Sequence, residues 1–224
     1  MKLAIFDVDG TLVDSSAMIS ASITAAFEAE GLAVPDWVRM MSIVGLSLHE
    51  AMKALAPGEE QGTHERLSAA YKQAFWEFRE WGEHKEDLFP GALDLLVKLR
   101  AREDVLLGIA TGKSRRGVSH LLEKHGLEGW FATVQTSDDH PSKPHPSMIV
   151  TALAETGLAP SAAIMIGDTS YDIAMAREAG VAAAAVSWGN HPAESLLTAG
   201  AHTIANDFKE LEQQLEQLWQ DRPA

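Results

Sequence analysis

The sequence contains no cysteine among its 224 residues. This absence excludes a disulfide framework, a thiolate nucleophile and a zinc site built on cysteine ligands. A chain without thiols is compatible with a reducing compartment, and we expect a cytoplasmic protein. Catalysis and metal binding are therefore left to other residue types.

Basic residues are also scarce, with 18 Lys and Arg against 32 Asp and Glu and a formal net charge of −14. Such a surface repels the phosphate backbone of a nucleic acid, and no run of Lys or Arg offers a local basic patch. Long apolar runs are absent too, because the first one, residues 3–6, stops at Asp7. We therefore expect no signal peptide, no membrane helix, and no nucleic-acid or membrane partner.

Short apolar runs are present, and they alternate with helix-length segments in the pattern typical of an α/β protein. The runs that predict strands are residues 3–8, 105–110, 131–136, 162–167, 182–187 and 202–205. The segments that predict helices are residues 91–102, 114–125, 146–156 and 171–179, with a further amphipathic helix near residues 208–218. Strands this apolar are buried on both faces, as in a parallel sheet. The pattern predicts a doubly wound, Rossmann-like parallel sheet.

Residues 16–88 interrupt this alternation with helical spacing and no convincing strand. Leu67 and Tyr71, for example, lie four residues apart on one predicted helix. We predict an all-helical cap domain at residues 16–88, inserted into an α/β core formed by residues 1–15 and 89–224.

Two features of the insert carry expectations about packing. Three of the six tryptophans lie in it, at Trp37, Trp76 and Trp81, and we expect them in a core or an interface because the indole ring is large and apolar. The charged run of residues 77–87 is expected to form a solvated helix end and a hinge.

Polar residues follow four of the predicted strands. In an open parallel sheet, ligands bind beyond the carboxyl ends of the strands. The residues at these ends are Asp7, Asp9, Thr111, Gly112, Lys143, Asp168 and Asp172. Each one alone is compatible with a turn or a helix cap. Four carboxylates, a hydroxyl and an ammonium at successive strand ends are more than turns require, so the sequence predicts a site at this edge.

Phosphoryl transfer is the chemistry that these side chains suit. Carboxylate ligands without Cys or His favour Mg²⁺, which is the expected cofactor. A carboxylate can be the nucleophile and form an aspartyl-phosphate. A second carboxylate two residues later lies on the same face of an extended segment, where it can transfer protons. A hydroxyl, backbone N–H groups and a lysine can bind the phosphate oxygens.

Four motifs make the comparison more specific, namely DVDGTLVDS, ATGKSRRG, SKPHP and IGDTSYDIAMAREAG. In this order they resemble the haloacid dehalogenase superfamily, and within it the phosphoglycolate phosphatase-like group with a helical cap after the first strand. The resemblance covers nearly the whole chain. It implies a phosphatase that acts on a small phosphorylated metabolite.

The resemblance also implies roles for the residues at the strand ends. Asp7 corresponds to the nucleophile and Asp9 to the general acid and base. Thr111 and Lys143 correspond to phosphate-binding residues. Gly112 either adds a backbone N–H contact to the phosphate or belongs to a plain helix start. Dehalogenase members lack an acid at the position of Asp9, so its presence favours phosphate chemistry.

The metal ligands implied by the resemblance are carboxylates and one carbonyl. Asp168 would hold Mg²⁺ together with Asp7 and the backbone carbonyl of Asp9. Asp172 would act directly or through a water molecule. Lys113, next to this site, either contributes a backbone N–H or simply begins a helix.

The segment of residues 42–50 resembles the substrate-facing loop and helix start of the family's cap. On this basis Gly45, Ser47, His49 and Arg39 are candidate substrate contacts. An ordinary capped helix with exposed polar residues explains the same segment equally well.

Two other functions are compatible with these residues. A β-phosphoglucomutase-like phosphotransferase shares them and returns the phosphoryl group to a sugar hydroxyl instead of water. A phospho-aspartate receiver or a non-enzymatic binding module also combines acids, a hydroxyl and a lysine around Mg²⁺, but without an inserted helical cap. The sequence does not identify the substrate, and we expect a monomer or a loose homodimer.

Overall fold

A six-stranded parallel sheet lies at the centre of the protein, of which a computed structural model describes residues 1–82 and 84–221. The strands of this sheet are β1 (Lys2–Phe6), β4 (Val105–Thr111), β5 (Thr133–Thr136), β6 (Ala163–Gly167), β7 (Ala182–Val186) and β8 (Thr203–Ala205). Two further strands, β2 (Val13–Asp14) and β3 (Asp87–Leu88), form a separate two-stranded sheet. The sheet order is β5-β4-β1-β6-β7-β8, and all neighbours in it are parallel. The predicted α/β fold with a parallel sheet is therefore confirmed.

Helices cover both faces of the sheet and form the insert. They are α1 (Ser16–Ala29), α2 (Trp37–Met41), α3 (Leu48–Leu55), α4 (Gln61–Trp81), α5 (Ala92–Arg100), α6 (Arg115–His125), α7 (Ser147–Thr156), α8 (Ser170–Glu178), α9 (Ala193–Thr198) and α10 (Phe208–Asp221). One face of the sheet packs on α5, α6 and α10, and the other on α7, α8 and α9. Among the residues described, no helix combines the length and the apolar composition needed to cross a membrane.

Strand β1 shows why the sheet is buried on both sides. Successive side chains of a strand point to opposite faces. Ala4 and Phe6 accordingly belong to the apolar cluster under α5, α6 and α10, and Leu3 and Ile5 to the cluster on the other face. All four are fully buried, and burying a side chain such as Leu contributes about 1.5–3 kcal/mol. After Lys2 the strand has no polar position until Asp7, which therefore lies at the edge of the sheet.

The insert has an apolar core of its own. Ile23 and Phe27 on α1 pack with Met52 on α3 and Leu67 on α4. The helices α1 to α4 confirm that the chain after β1 is mainly helical. The limits of a cap domain at residues 16–88 stay a prediction, because the structure gives helix bounds and not domain bounds.

The expectation of no strand within residues 16–88 is wrong at one point. Asp87–Leu88 forms β3, which pairs antiparallel with β2, so that Val13 lies opposite Leu88 and Asp14 opposite Asp87. A strand of two residues is too short to leave a hydrophobic pattern in a sequence. The two passages of the chain between sheet and insert are thus joined to each other.

The sequence suggested a core or an interface for the tryptophans of the insert; the core is wrong, and the interface stays a prediction. Trp37, Trp76 and Trp81 are 53, 41 and 63% exposed. Trp76 follows the buried Ala74 by two residues, which places it about 200° around the helix, on the other side. Trp37 begins α2 and Trp81 ends α4, so each has helical neighbours on one side only.

Candidate active site

The ends of three neighbouring strands bring the predicted polar residues together. Asp7 follows β1, Thr111 ends β4 and Asp168 follows β6. Lys143 comes from the loop before α7, and Asp172 lies in the first turn of α8. All five side chains are at most 2% exposed. Parallel strands end at one edge, so residues distant in sequence meet there.

Lys143 links two of these acids. Its ammonium donates to Asp7 Oδ1 at 2.8 Å and to Asp172 Oδ1 at 2.6 Å. Burial raises the pKa of Asp7 to about 8; Lys143 opposes this rise, and the nearby carboxylates of Asp172 and Asp168 add to it. Lys143 supplies one positive charge, whereas the acids around it number three, so the cluster is short of positive charge.

Asp168 is held by groups from two loops. Its Oδ2 accepts hydrogen bonds from the backbone N–H and the side-chain amide of Asn190, both at 2.8 Å, and its Oδ1 accepts one from Thr11 Oγ1 at 2.9 Å. Burial raises its pKa to about 6, with a further contribution from the charge of Asp172. These three donors fix the direction of the carboxylate.

Asp7, Asp168 and Asp172 form a group that could hold a metal ion. Each offers one carboxylate oxygen, and the three oxygens lie within 4.8 Å of one another. Asp7 Oδ2 is buried and has no hydrogen-bond partner among the described residues, so Lys143 occupies only one of the two Asp7 oxygens. An all-oxygen, negatively charged donor set of this kind fits a hard cation such as Mg²⁺. The residues present therefore fit the expected cofactor.

The side chain of Asp9 lies outside this group. Its Oδ1 accepts hydrogen bonds from Ser15 Oγ at 2.7 Å and from Lys113 Nζ at 2.9 Å. Asp9 nevertheless lines the same cavity as Asp7. The position suits proton transfer at the mouth of the acid cluster, and a metal contact through the Asp9 backbone carbonyl stays a prediction.

Lys113 and Glu86 form an ion-pair network that the sequence did not reveal. The ammonium of Lys113 lies 3.0 Å from Glu86 Oε1, and Glu86 Oε2 accepts from Arg79 at 2.6 Å. Lys113 and Glu86 are only 8 and 4% exposed. Burial favours a raised pKa for Glu86, but the positive charges of Lys113 and Arg79 outweigh it, and the pKa of Glu86 is lowered. The network connects the end of α4 to Asp9.

These contacts correct the expectation of a solvated charged run at residues 77–87. Glu86 is buried because the chain returns to the sheet at β3, which places it beside Arg79 and Lys113. Glu83, in the same run, lies outside the described residues. The sequence suggested a plain helix start as one explanation for Lys113. That explanation covers the backbone of Lys113 but not its side chain, which pairs with Asp9 and Glu86. No sequence signal distinguishes Glu86 from the exposed acids around it.

Gly112 lies where the insert contacts the sheet edge. A Cβ atom at this position would lie 2.6 Å from the carbonyl oxygens of both Gly45 and Leu46. Only glycine therefore allows the backbone of the insert to come this close. Beside it, Thr111 Oγ1 accepts the backbone N–H of Lys113 at 3.2 Å.

A cavity of about 460 Å³ lies between the insert and the sheet edge. Its lining includes Asp7, Asp9, Thr111 and Gly112 from the sheet side. The insert contributes helices and the loop before α3. Because both parts of the chain form its walls, the cavity exists only while they are in contact.

Three of the four predicted cap contacts line this cavity, namely Gly45, Ser47 and His49. Ser47 also joins the insert to the sheet side, because its N–H donates to Ser142 Oγ at 2.8 Å. Arg39 is exposed and lies apart from the cavity lining. Its guanidinium instead donates to the carbonyl of Leu55 at 3.1 Å.

The fold and the site together define a hydrolase of the α/β class with a helical insert above the catalytic edge. Comparison with protein families identifies the hydrolase family. The family model described as "Haloacid dehalogenase-like hydrolase" matches residues 4–186. The chain belongs to this family, as its motifs predicted, and is an enzyme of its phosphatase group.

Several relatives resemble this chain along nearly their whole length. The "Probable phosphatase IndB" of Dickeya dadantii is 36% identical over 218 residues, covering 93% of this chain and 91% of the relative. The "Phosphoglycolate phosphatase" of Chromobacterium violaceum is 34% identical over 216 residues, covering 94% and 95%. A crystal structure of a hydrolase from Pseudomonas syringae has a TM-score of 0.85 at 26% identity, covering 97% and 99%. These matches confirm both the predicted fold and the predicted resemblance.

Proposed function

We propose that the protein is a Mg²⁺-dependent phosphatase that hydrolyses a small phosphorylated metabolite through an aspartyl-phosphate on Asp7. One observation carries this proposal: the cavity reaches Asp7, whose buried Oδ2 has no partner among the described residues. Phosphatase names among the relatives support the same activity. A nucleophile has to keep one oxygen free for the reacting atom, and Asp7 Oδ2 meets this requirement.

In the first step, the Asp7 carboxylate attacks phosphorus and the bond from phosphorus to the substrate oxygen breaks. Asp9 gives a proton to the leaving oxygen, which departs as an alcohol. Lys143 and Thr111 would donate to the phosphoryl oxygens as charge develops there. When bound by Asp7, Asp168 and Asp172, Mg²⁺ would offset the repulsion between these acids and the incoming phosphate.

In the second step, a water molecule attacks phosphorus and the bond to Asp7 breaks. Asp9 now takes a proton from this water, so that it ends the cycle as it began. Inorganic phosphate leaves, and Asp7 regains its carboxylate. The insert covers the site and would limit the access of other water molecules to the intermediate.

Hydrolysis of p-nitrophenyl phosphate with Mg²⁺, with excess EDTA and with Asp7→Asn tests the proposal. We expect EDTA to abolish activity and Asp7→Asn to lower kcat by about a thousandfold or more, as for other covalent nucleophiles. Asp94→Asn is the matched control, because Asp94 is an exposed residue on α5. Activity that survives in EDTA or in Asp7→Asn contradicts the proposal.

The products distinguish hydrolysis from phosphoryl transfer to a second hydroxyl. With a sugar monophosphate as substrate, a phosphatase releases one inorganic phosphate for each substrate consumed. A mutase instead yields an isomeric sugar phosphate and little free phosphate. We expect stoichiometric phosphate release, measured by phosphate assay together with ³¹P NMR of the products.

A further inference from the structure

Two positively charged side chains of the cavity wall have no acidic partner among the described residues. Lys72 on α4 and Arg116 on α6 both line the cavity. Within residues 1–82 and 84–221, the side chain of neither residue donates a hydrogen bond or forms an ion pair; the guanidinium of Arg116 lies over the ring of Trp76. The chain has 32 acidic and 18 basic residues, so acidic partners for a cation are plentiful. Two cations that line one cavity and pair with none of the described acids are therefore notable.

The two cations both lie beside Trp76. Lys72 and Trp76 are four residues apart on α4 and therefore occupy one face of that helix. The guanidinium of Arg116 stacks on the Trp76 indole, 3.9 Å from the ring centroid. One cation thus comes from the insert and the other from the sheet side, and both neighbour Trp76.

Each acid that lines the cavity has a partner other than Lys72 and Arg116. Lys143 binds Asp7, Lys113 binds Asp9, and Asp138 accepts the backbone N–H of Arg115 at 2.9 Å. None of these acids pairs with Lys72 or Arg116. An anion that entered the cavity would therefore find these two cations available.

The cations and the nucleophile lie at opposite depths of the cavity. Lys72 and Arg116 are exposed to solvent, whereas Asp7 is 1% exposed. The cavity lining also includes apolar side chains, among them Ile23 and Phe75. A volume of about 460 Å³ falls in the range of about 300–1,000 Å³ typical of sites for drug-sized ligands. The cavity has room for an organic body between two anionic groups.

We propose that Lys72 and Arg116 bind a second anionic group of the substrate, at the mouth of the cavity. The substrate class is then a phosphomonoester whose organic body carries a carboxylate or a second phosphate at its far end. This inference rests on the proposed phosphatase function. It adds the chemistry of the substrate's distal end, which the core motifs do not specify.

Matched pairs of alkyl phosphates test this inference. Each pair has the same chain of two to eight carbons, without or with a terminal carboxylate, and a third series carries a terminal phosphate. We expect the terminal anion to raise kcat/KM by about tenfold or more at one chain length, since hydrogen bonds to charged groups contribute that much. In Lys72→Gln/Arg116→Gln the ratio of charged to uncharged substrate falls towards one, mainly through KM.

Two control variants each remove one positive charge at another position, half of the change in the double variant. Arg115→Gln neighbours Arg116 but pairs with Asp139, and Lys53→Gln lies in the insert and pairs with Glu50. Neither side chain lines the cavity, so both variants keep the wild-type ratio. The inference is overturned if wild-type kcat/KM is the same for charged and uncharged substrates at every alkyl chain length. It is also overturned if Arg115→Gln lowers the ratio of charged to uncharged substrate as much as the double variant does. If no phosphate ester is hydrolysed at all, p-nitrophenyl phosphate included, the proposed function itself fails.

Discussion

At the scale of single residues, Lys113 carries a buried charge that is paired with two acids. Its ammonium bridges Asp9 and Glu86 with little access to water. A buried charge is tolerated when it is paired on more than one side, and removing one partner leaves the others uncompensated. Glu86 therefore supports the position of Lys113, and through it the orientation of the Asp9 carboxylate.

Replacing Glu86 by Gln should lower the free energy of unfolding by about 1–3 kcal/mol, because Lys113 and Arg79 lose a charged acceptor. The pKa of Glu86 is lowered from 4.5 in the folded protein. Its stabilisation is thus present above this value and is lost as the pH falls below it. Urea denaturation at pH 7 and at acidic pH measures both effects.

The control for this prediction is Glu80→Gln, because Glu80 is an exposed acid of the same helix end. It should change the free energy of unfolding by less than about 0.5 kcal/mol, as surface substitutions usually do. An equal loss in both variants, or a wild-type advantage that does not narrow at acidic pH, contradicts the role given to Glu86.

At the scale of elements, the start of α8 orients one of the acids. Thr169 and Asp172 form a capping box, in which Thr169 Oγ1 accepts the N–H of Asp172 and Asp172 Oδ2 accepts the N–H of Thr169. The Thr169 hydroxyl also donates to Asp172 Oδ2 at 2.6 Å. Asp172 Oδ1 is left for Lys143. The local signal that begins the helix therefore also aims a carboxylate into the site.

Replacing Thr169 by Ala should lower the free energy of unfolding by about 0.5–2 kcal/mol, the usual cost of losing a cap. Thr169→Ser keeps the hydroxyl and should recover most of this loss. Urea denaturation in EDTA measures the effect without any contribution from bound metal. If the Ser variant is as unstable as the Ala variant, the methyl group and not the hydroxyl stabilises this turn.

At the scale of the whole molecule, separate strands and α8 meet in one cluster of like charges. Asp7, Asp168 and Asp172 are all at most 1% exposed. Close, buried carboxylates destabilise the folded state relative to the unfolded chain, where they separate and are solvated. A divalent cation that binds only the folded protein reverses this penalty and adds its binding energy to stability.

Mg²⁺ should raise the melting temperature relative to protein in EDTA. At a concentration of about one hundred times Kd the gain is about 2.7 kcal/mol, which corresponds to roughly 5–10 °C for a domain of this size. Differential scanning fluorimetry measures the shift, with NaCl at equal ionic strength as the control. Asp168→Asn should abolish the Mg²⁺-specific part. A shift that NaCl reproduces, or that survives in Asp168→Asn, argues against the site.

Much of the fold follows from the sequence, because the apolar runs of the strands are continuous and end abruptly. Leu3 to Phe6 leave no doubt about a buried strand, and the polarity of Asp7 marks its end. The edge rule for parallel sheets then brings Asp7, Thr111 and Asp168 together without knowledge of their distances. The four sequence motifs indicated the family, and the comparisons confirm it.

The remaining features depend on contacts between distant parts of the chain. Glu86 and Lys113 are 27 positions apart, and nothing in either local sequence announces that they pair. The exposure of Trp76 depends on which side of α4 faces the insert's core. The separation of Arg39 from the cavity likewise depends on how α2 lies against α3. Local periodicity predicts an element and its apolar face, but it does not predict the element's neighbours.

The pairing of β2 with β3 has a mechanical consequence. The chain crosses between sheet and insert twice, and the antiparallel pairing of Val13 with Leu88 fastens the two crossings side by side. Two fastened strands bend together about one axis, whereas sliding or swivelling would break their hydrogen bonds. Any movement of the insert relative to the sheet would therefore follow a single arc. A return along this arc would bring Gly45 back to Gly112 in the same register.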